Sequence, residues 1–382
     1  MICIRNGLVF DAVHEKSEKK DILIEQGKIV EIGEKLTVPE ECEIVDAEGL
    51  HVYPGFIDAH SHVGTMGSGI GFEGDDVNEM TDILTPQLRG IDCIEPMDIV
   101  FAEAREGGVT TVCTGPGSAN VVGGTFVAIK TVGKRVDDMV INDRVAMKCA
   151  FGENPKRCYK DKNNFSRMST AAKLRELLFK TLEYDEKIKA AGDDSGKRPA
   201  FDFKLESMLP VIRREIPLKA HAHRADDIFT ALRIAKEFDL RITLEHVTEG
   251  SLIVEELAKE NVMLAVGPSL THRTKFELRN LSFQTPGDLA NAGCHVSIIT
   301  DAPVIPQQYL RLCAGLAVKA GMKEFDALKA ITIHPAEHVG VADRVGSLEV
   351  GKDADIVLMD GSLFESQSNV LATYIDGKKV FG

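Results

Sequence analysis

The sequence predicts an α/β protein whose larger part is a parallel barrel of βα repeats, joined to a small β domain that both ends of the chain build together. Three observations carry that expectation. From Gly55 onward, short β-prone runs alternate with longer helical ones, as in a parallel sheet wrapped by helices. The first fifty residues, and those after about 340, read instead as strands broken by turns. The 382 residues also suffice for one large α/β barrel with a minor domain beside it.

Taken in order, ILIEQGKIVEIG (22–33) sets a Gln-Gly turn between β-prone runs, and EIVDAEGLHVYPG (43–55) adds a Glu-Gly turn, so residues 1–54 begin the small domain. The barrel is expected over 55–339. Its candidate strands are 55–60, 109–114, 145–152, 217–223, 241–246, 262–267 and 295–300, one fewer than the eight that close a barrel, and 125–133 is the candidate for the missing one. In DDIFTALRIAKEF (226–238), Ile228, Leu232 and Ala235 fall at i, i+4 and i+7 behind Asp226 or Asp227 as a cap. A long helix is expected over 170–191, within a charged insertion (153–202) over one rim. The glycine-rich GPGSANVVGGTF (115–126) lacks the Gly-Lys-Ser/Thr ending of a phosphate loop and reads as a mobile loop over the site. From 340 to 382 strands and turns return, ending on an Asp-Gly hairpin signal in TYIDGKKVFG (373–382).

Composition narrows the function. Forty-four per cent hydrophobic and 27% charged residues describe a globular protein, and no apolar run approaches the roughly 18 residues of a membrane helix. MICIRNGLVFDAVHEKSEKKD has no signal-peptide pattern, so a cytoplasmic location is expected. A formal charge of −14 argues against nucleic-acid partners, which need clustered Lys and Arg. The eight cysteines form no CxxC pair and are expected as reduced, mostly buried thiols.

The chemistry concentrates at predicted strand ends. In PGFIDAHSHVG (54–64), His60 and His62 lie at i and i+2 where a barrel strand stops, so two imidazoles face the open end together. His221 and His223 end PLKAHAH, His246 ends RITLEH, and Asp301 follows HVSIIT directly. Four strand ends carrying metal-ligand residue types are poorly explained by chance.

These stretches resemble the amidohydrolase superfamily: PGFIDAHSHVG its first metal-binding strand, HAH, LEHVTEG and IITDAP its later metal and acid positions, and ITIHPAEHVGVADRVGSLEVGKDADIVLMDG (331–361) its closing segment. HAH with a following EH is most similar to the imidazolonepropionase and metal-dependent dipeptidase branch. The resemblance implies a distorted (β/α)8 TIM barrel with a β-sandwich-like appendage, and hydrolysis of an amide or cyclic-amide C–N bond by metal-activated water. It further implies His60 and His62 on the more buried ion, His221 and His246 on the second, and Asp301 as ligand and proton acceptor. Two zinc ions are expected, or one if no anion bridges them.

For the bridge, Glu153 is favoured because it lies just past a strand end; Lys148 is the rival, but its Cα sits roughly 16 Å lower along the strand. His223 is taken as a substrate-facing or supporting residue, although either histidine of HAH can be the ligand. Arg157 and Arg224 are candidates to hold a substrate carboxylate, and His272 to reach the pocket. Arg224 occupies the place where the resembled deaminases carry a glutamate, which argues against deamination. The expected partner is a small amide, with a homo-oligomer fitting the family. The readings to be separated are an amide hydrolase, an N-acyl sugar deacetylase or dipeptidase of the same superfamily, and a non-catalytic barrel scaffold.

Overall fold

The computed structural model describes residues 1–68 and 71–382. Five strands come first: β1 (Ile2–Val9), β2 (Glu18–Glu25), β3 (Lys28–Gly33), β4 (Glu43–Asp46) and β5 (His51–Pro54). Eight follow in the middle of the chain: β6 (Phe56–Ser61), β7 (Val109–Thr114), β8 (Val122–Lys130), β9 (Val140–Ala150), β10 (Leu218–Ala222), β11 (Ile242–His246), β12 (Leu264–Val266) and β13 (Val296–Ile298). The last three are β14 (Ile356–Met359), β15 (Val370–Ile375) and β16 (Lys378–Phe381).

One sheet runs β16-β15-β14-β5-β1-β2-β3, with β4 beside β1, so strands from both ends of the chain share it. Its hairpin turns, Gln26-Gly27 (φ 50° and 80°) and Asp376-Gly377 (φ 48° and 69°), have positive φ at both central residues, as a two-residue turn matched to strand twist requires. Ile4, Ile22, Ile29, Val52, Ile356 and Tyr374 fill its buried face.

The other sheet runs β13-β12-β11-β10-β9-β8-β7-β6 and forms the wall of a distorted TIM-type barrel. Between β6 and β13 it closes through main-chain bonds: His62 N–H to the Ala302 carbonyl (2.7 Å) and Asp301 N–H to that of His60 (3.2 Å). The distortion lies in β8, which is antiparallel to both neighbours while β6-β7 and β9 through β13 pair in parallel. Only residues 115–121 join β7 to β8, too few for the crossover that a parallel strand needs. This β8 is the missing strand, and its position corrects the reading of 115–126 as a mobile loop: Val122, Gly123, Gly124, Thr125 and Phe126 are buried strand residues.

The helices wrap this wall: α1 (Ile99–Glu106), α2 (Glu153–Cys158), α3 (Arg167–Ala191), α4 (Phe203–Ile212), α5 (Ala225–Glu237), α6 (Val254–Glu260), α7 (Thr285–Asn291), α8 (Leu310–Lys319), α9 (Glu324–Lys329) and α10 (Ile333–His338). Helix α3 starts in a Ser166/Ser169 capping box, and its Leu174, Leu177 and Leu178 pack in one core with Leu218 and Ile228. The segment read as a rim insertion thus supplies part of the barrel's outer layer. Helix α5 is capped at Arg224, not at an aspartate: the Ala225 N–H donates to Glu249 (2.9 Å), and Asp227 accepts from Arg167 (2.9 Å) instead.

Candidate metal centre

The strand ends of the barrel converge on two groups of metal-ligand atoms. His60, His62 and Asp301 form one and His221, His223 and His246 the other, with one donor atom of each residue within 4.8 Å of those of its group. The groups adjoin: the His60 and His246 rings are 5.1 Å apart.

Backbone geometry explains how neighbours in sequence share this layer. Glu245 and His246 are consecutive and would point to opposite faces of a regular strand. His246, however, has φ 77° and Asp301 φ 53°, left-handed conformations that non-glycine residues adopt at a cost of roughly 1–3 kcal/mol and that turn each side chain back over the barrel end.

Hydrogen bonds fix the rings. Nδ1 of His60 donates to Glu245 (3.0 Å), that of His62 to the Gly115 carbonyl (2.8 Å) and that of His246 to the Gly267 carbonyl (2.9 Å). Each such bond fixes the ring's tautomer and orientation and leaves its Nε2 lone pair free, as is usual for a metal-binding histidine. His223 is held through Nδ1 by Thr248 (2.7 Å). Burial keeps His60, His221 and His223 well below the ordinary imidazole range and brings His246 down to about 4, so all four rings are neutral near pH 7.

The residues fit a cation. Oδ1 of Asp301 lies 3.2 Å from His62 Nε2 and 3.6 Å from His60 Nε2, lone pair against lone pair, and makes no hydrogen bond. Both ring nitrogens of His221 are likewise buried without a partner. Leaving such groups unpaired costs about 1–3 kcal/mol each, which a shared metal ion removes.

Glu153 is in neither group; it opens α2, and its N–H donates to the Glu277 carboxylate (2.9 Å). Lys148 instead approaches the first group. Its backbone pairs with Lys219, while Ala150 pairs with His221, so it starts about 7 Å below the histidine layer. A lysine side chain spans nearly that height, and Nζ of Lys148 reaches 3.1 Å from His60 Nε2. The placement by Cα height failed because it left out the side chain. Lys148 is fully buried, has Nζ 5.3 Å from the centre of the Phe126 ring, and is brought down to about 8 by that burial. Lys219 is engaged with Glu245 (2.8 Å) and the Ala59 carbonyl (2.9 Å).

Above the centre opens a cavity of about 400 Å³ lined by His62, His221, His223, Asp301, Arg157 and Lys275, among others. Arg157 thus stands at the site, with its side chain exposed at the mouth. Arg224 pairs with Asp226 of its own helix (2.8 and 2.9 Å), and His272 is an exposed loop residue outside the lining.

Two carboxylates were not anticipated. Glu277, on a short turn (Phe276–Leu278), is buried with Oε1 3.7 and 3.8 Å from Nε2 of His223 and His221, and 2.7 Å from Lys275 Nζ. Glu245 lies beneath the centre, accepting from His60, Lys219, Thr243 (2.7 Å) and His338 (3.0 Å). A glutamate inside an apolar strand, ITLEH, was the available signal for Glu245.

Comparison with known proteins agrees with this architecture. The model of the amidohydrolase family matches residues 51–380. A crystal structure of an amidohydrolase from Thermotoga maritima MSB8 superposes with a TM-score of 0.96 at 41% identity, covering 100% of both chains. Among curated proteins, amidohydrolase tasK of Hapsidospora irregularis is 28% identical over 94% of this chain, and an adenine deaminase of Lactobacillus delbrueckii subsp. bulgaricus 24% identical over 94%. This chain spans about half the length of those two relatives, 40% and 56% respectively. With the family model matched over most of its length, the chain belongs to the amidohydrolase family.

Proposed function

We propose that this protein hydrolyses an amide or cyclic-amide C–N bond of a small molecule at a centre of two divalent ions, zinc being the ion best suited to the donors. The observation that supports it most directly is the pair of facing histidine groups with Asp301 and His221 left without hydrogen-bond partners. His60, His62 and Asp301 would hold one ion, and His221, His246 and His223 the other. Ions held there would polarise the scissile carbonyl and make water acidic enough to attack near neutral pH.

The chain's own residues do the rest. Asp301 accepts the proton of the attacking water and returns it to the departing nitrogen. Lys148 is the bridging candidate in place of Glu153: its neutral amine adds CO₂, losing a proton, to give a carbamate that would supply an anionic ligand to ions held there. An amine brought down to about 8 supplies the required neutral form in quantity at pH 7 to 8. Arg157 and Lys275 line the cavity and suit a substrate with a carboxylate, while Asn154 holds Lys275 Nζ (3.2 Å). Eight free thiols, five of them buried, support work in a reducing compartment such as the cytoplasm.

The test is metal content per chain on protein purified without chelator, followed by a screen of dipeptides, N-acyl amino acids and cyclic imides, with adenine as the deaminase control. About two equivalents of metal and turnover of a carboxylate-bearing amide are expected. No metal bound, and none taken up on addition, would refute the proposal and leave the scaffold reading.

A further inference from the structure

A third group of metal-ligand residues lies outside this centre. His295 immediately precedes β13, and His334 and Glu337 stand at i and i+3 on α10, so they share one helix face. One donor atom from each lies within 4.8 Å of the others. Because His295 begins the strand after which Asp301 follows, this group sits at the opposite end of the barrel.

The hydrogen bonds leave lone pairs here as well. Nδ1 of His334 donates to the Val296 carbonyl (2.9 Å), leaving Nε2 as a free donor atom. Nε2 of His295 lies 2.6 Å from the Glu337 carboxylate, while its Nδ1 is shielded from solvent with no hydrogen-bond partner. The two ring centroids lie 4.2 Å apart with the planes tilted by 35°. Two imidazoles and a carboxylate around one point are a three-ligand set for zinc or nickel, with a position left for water. Bonds of about 2.0–2.1 Å in tetrahedral geometry need donor atoms roughly 3.3 Å apart. Glu337, with its side chain 41% exposed, can open its present contact to that spacing without disturbing the core.

We propose that His295, His334 and Glu337 bind a divalent transition-metal ion that pins α10 to the start of β13. The same helix carries His338, whose Nε2 donates to Glu245, which in turn holds His60. An ion there would thus steady a helix that supports the metal centre from beneath.

The test compares wild type with His334→Ala and Glu337→Gln, each first loaded with metal at its centre and then titrated with Zn²⁺ against a chromophoric chelator. Wild type should take up one equivalent more than His334→Ala, and Glu337→Gln should bind that equivalent at least about tenfold more weakly. Equal uptake by all three would overturn the site, as would a wild type that takes no ion beyond the loaded ones. Since the readout is a difference between variants, it holds whatever number of ions the centre contains. Glu337→Gln changes an exposed side chain and keeps the test valid if His334→Ala fails to fold.

Discussion

Glu245→Gln would leave the Lys219 ammonium sealed in the barrel without its counter-charge. Both side chains are essentially inaccessible to solvent, 2.8 Å apart, and the carboxylate is further surrounded by His60, His338 and Thr243. Burial alone would raise the Glu245 carboxyl, but Lys219 and His338 outweigh it and hold it well below the usual range. Breaking a buried pair by neutralising one partner costs about 3–5 kcal/mol. The same change loosens the His60 ring, and losing such a support lowers metal affinity about 10–100-fold. The assays are urea unfolding of the metal-free variant and chelator competition on the metal-loaded one. Lys219→Met alone should be similarly damaging, whereas the double variant, with neither charge, should recover more than half of the lost stability. A loss below about 1 kcal/mol for Glu245→Gln, or a double variant no better than the single ones, would refute the view that charge pairing stabilises this layer.

Three further outcomes are expected. Asp301→Asn should lower turnover by about 10²–10⁴-fold while metal stays bound, and full turnover would remove Asp301 from proton transfer. Lys148→Met should reduce metal content toward one ion, whereas Glu153→Gln should leave it unchanged; the reverse pattern would restore Glu153 as the bridge. Finally, His246 titrates near 4 in the folded chain, below the ordinary imidazole value of about 6.5, so the unfolded chain takes the proton first. Stability of the metal-free protein should therefore be full above about pH 6.5 and fall as pH drops toward 4, with His60, His221 and His223 adding in the same direction. A urea midpoint that stays flat across that window would show that these rings are not buried as neutral ligands.

Much of this was legible in the chain, for reasons tied to particular residues. His60 and His62 could be located because i, i+2 spacing at a strand end determines which way a side chain faces, and Asp301 because it directly follows an apolar strand run. The choice between His221 and His223 stayed open because both lie where the strand stops, and the structure draws both into one group with His246. Lys148 was misjudged because a strand ladder gives backbone heights, while a lysine carries its charge about two residues further. Glu277 had no local signature: it lies on a turn more than fifty residues past His223, and tertiary packing alone brings it to the imidazoles. The eighth strand escaped the alternation because β8 is reached by hairpin connections, without the helix that marks every parallel repeat.

The shared sheet also sets an order of events during synthesis. Pro54 of β5 pairs with Ile356 of β14, about 300 residues later. At translation rates of about 5–20 residues per second, the edge of β5 waits roughly 15–60 s for its neighbour. Throughout that interval Val52 and Tyr53 present an unpaired apolar edge to every other nascent chain, a template for intermolecular pairing. Expression yield of this protein should accordingly depend on chaperones that shield early strands, and on how slowly ribosomes traverse the barrel.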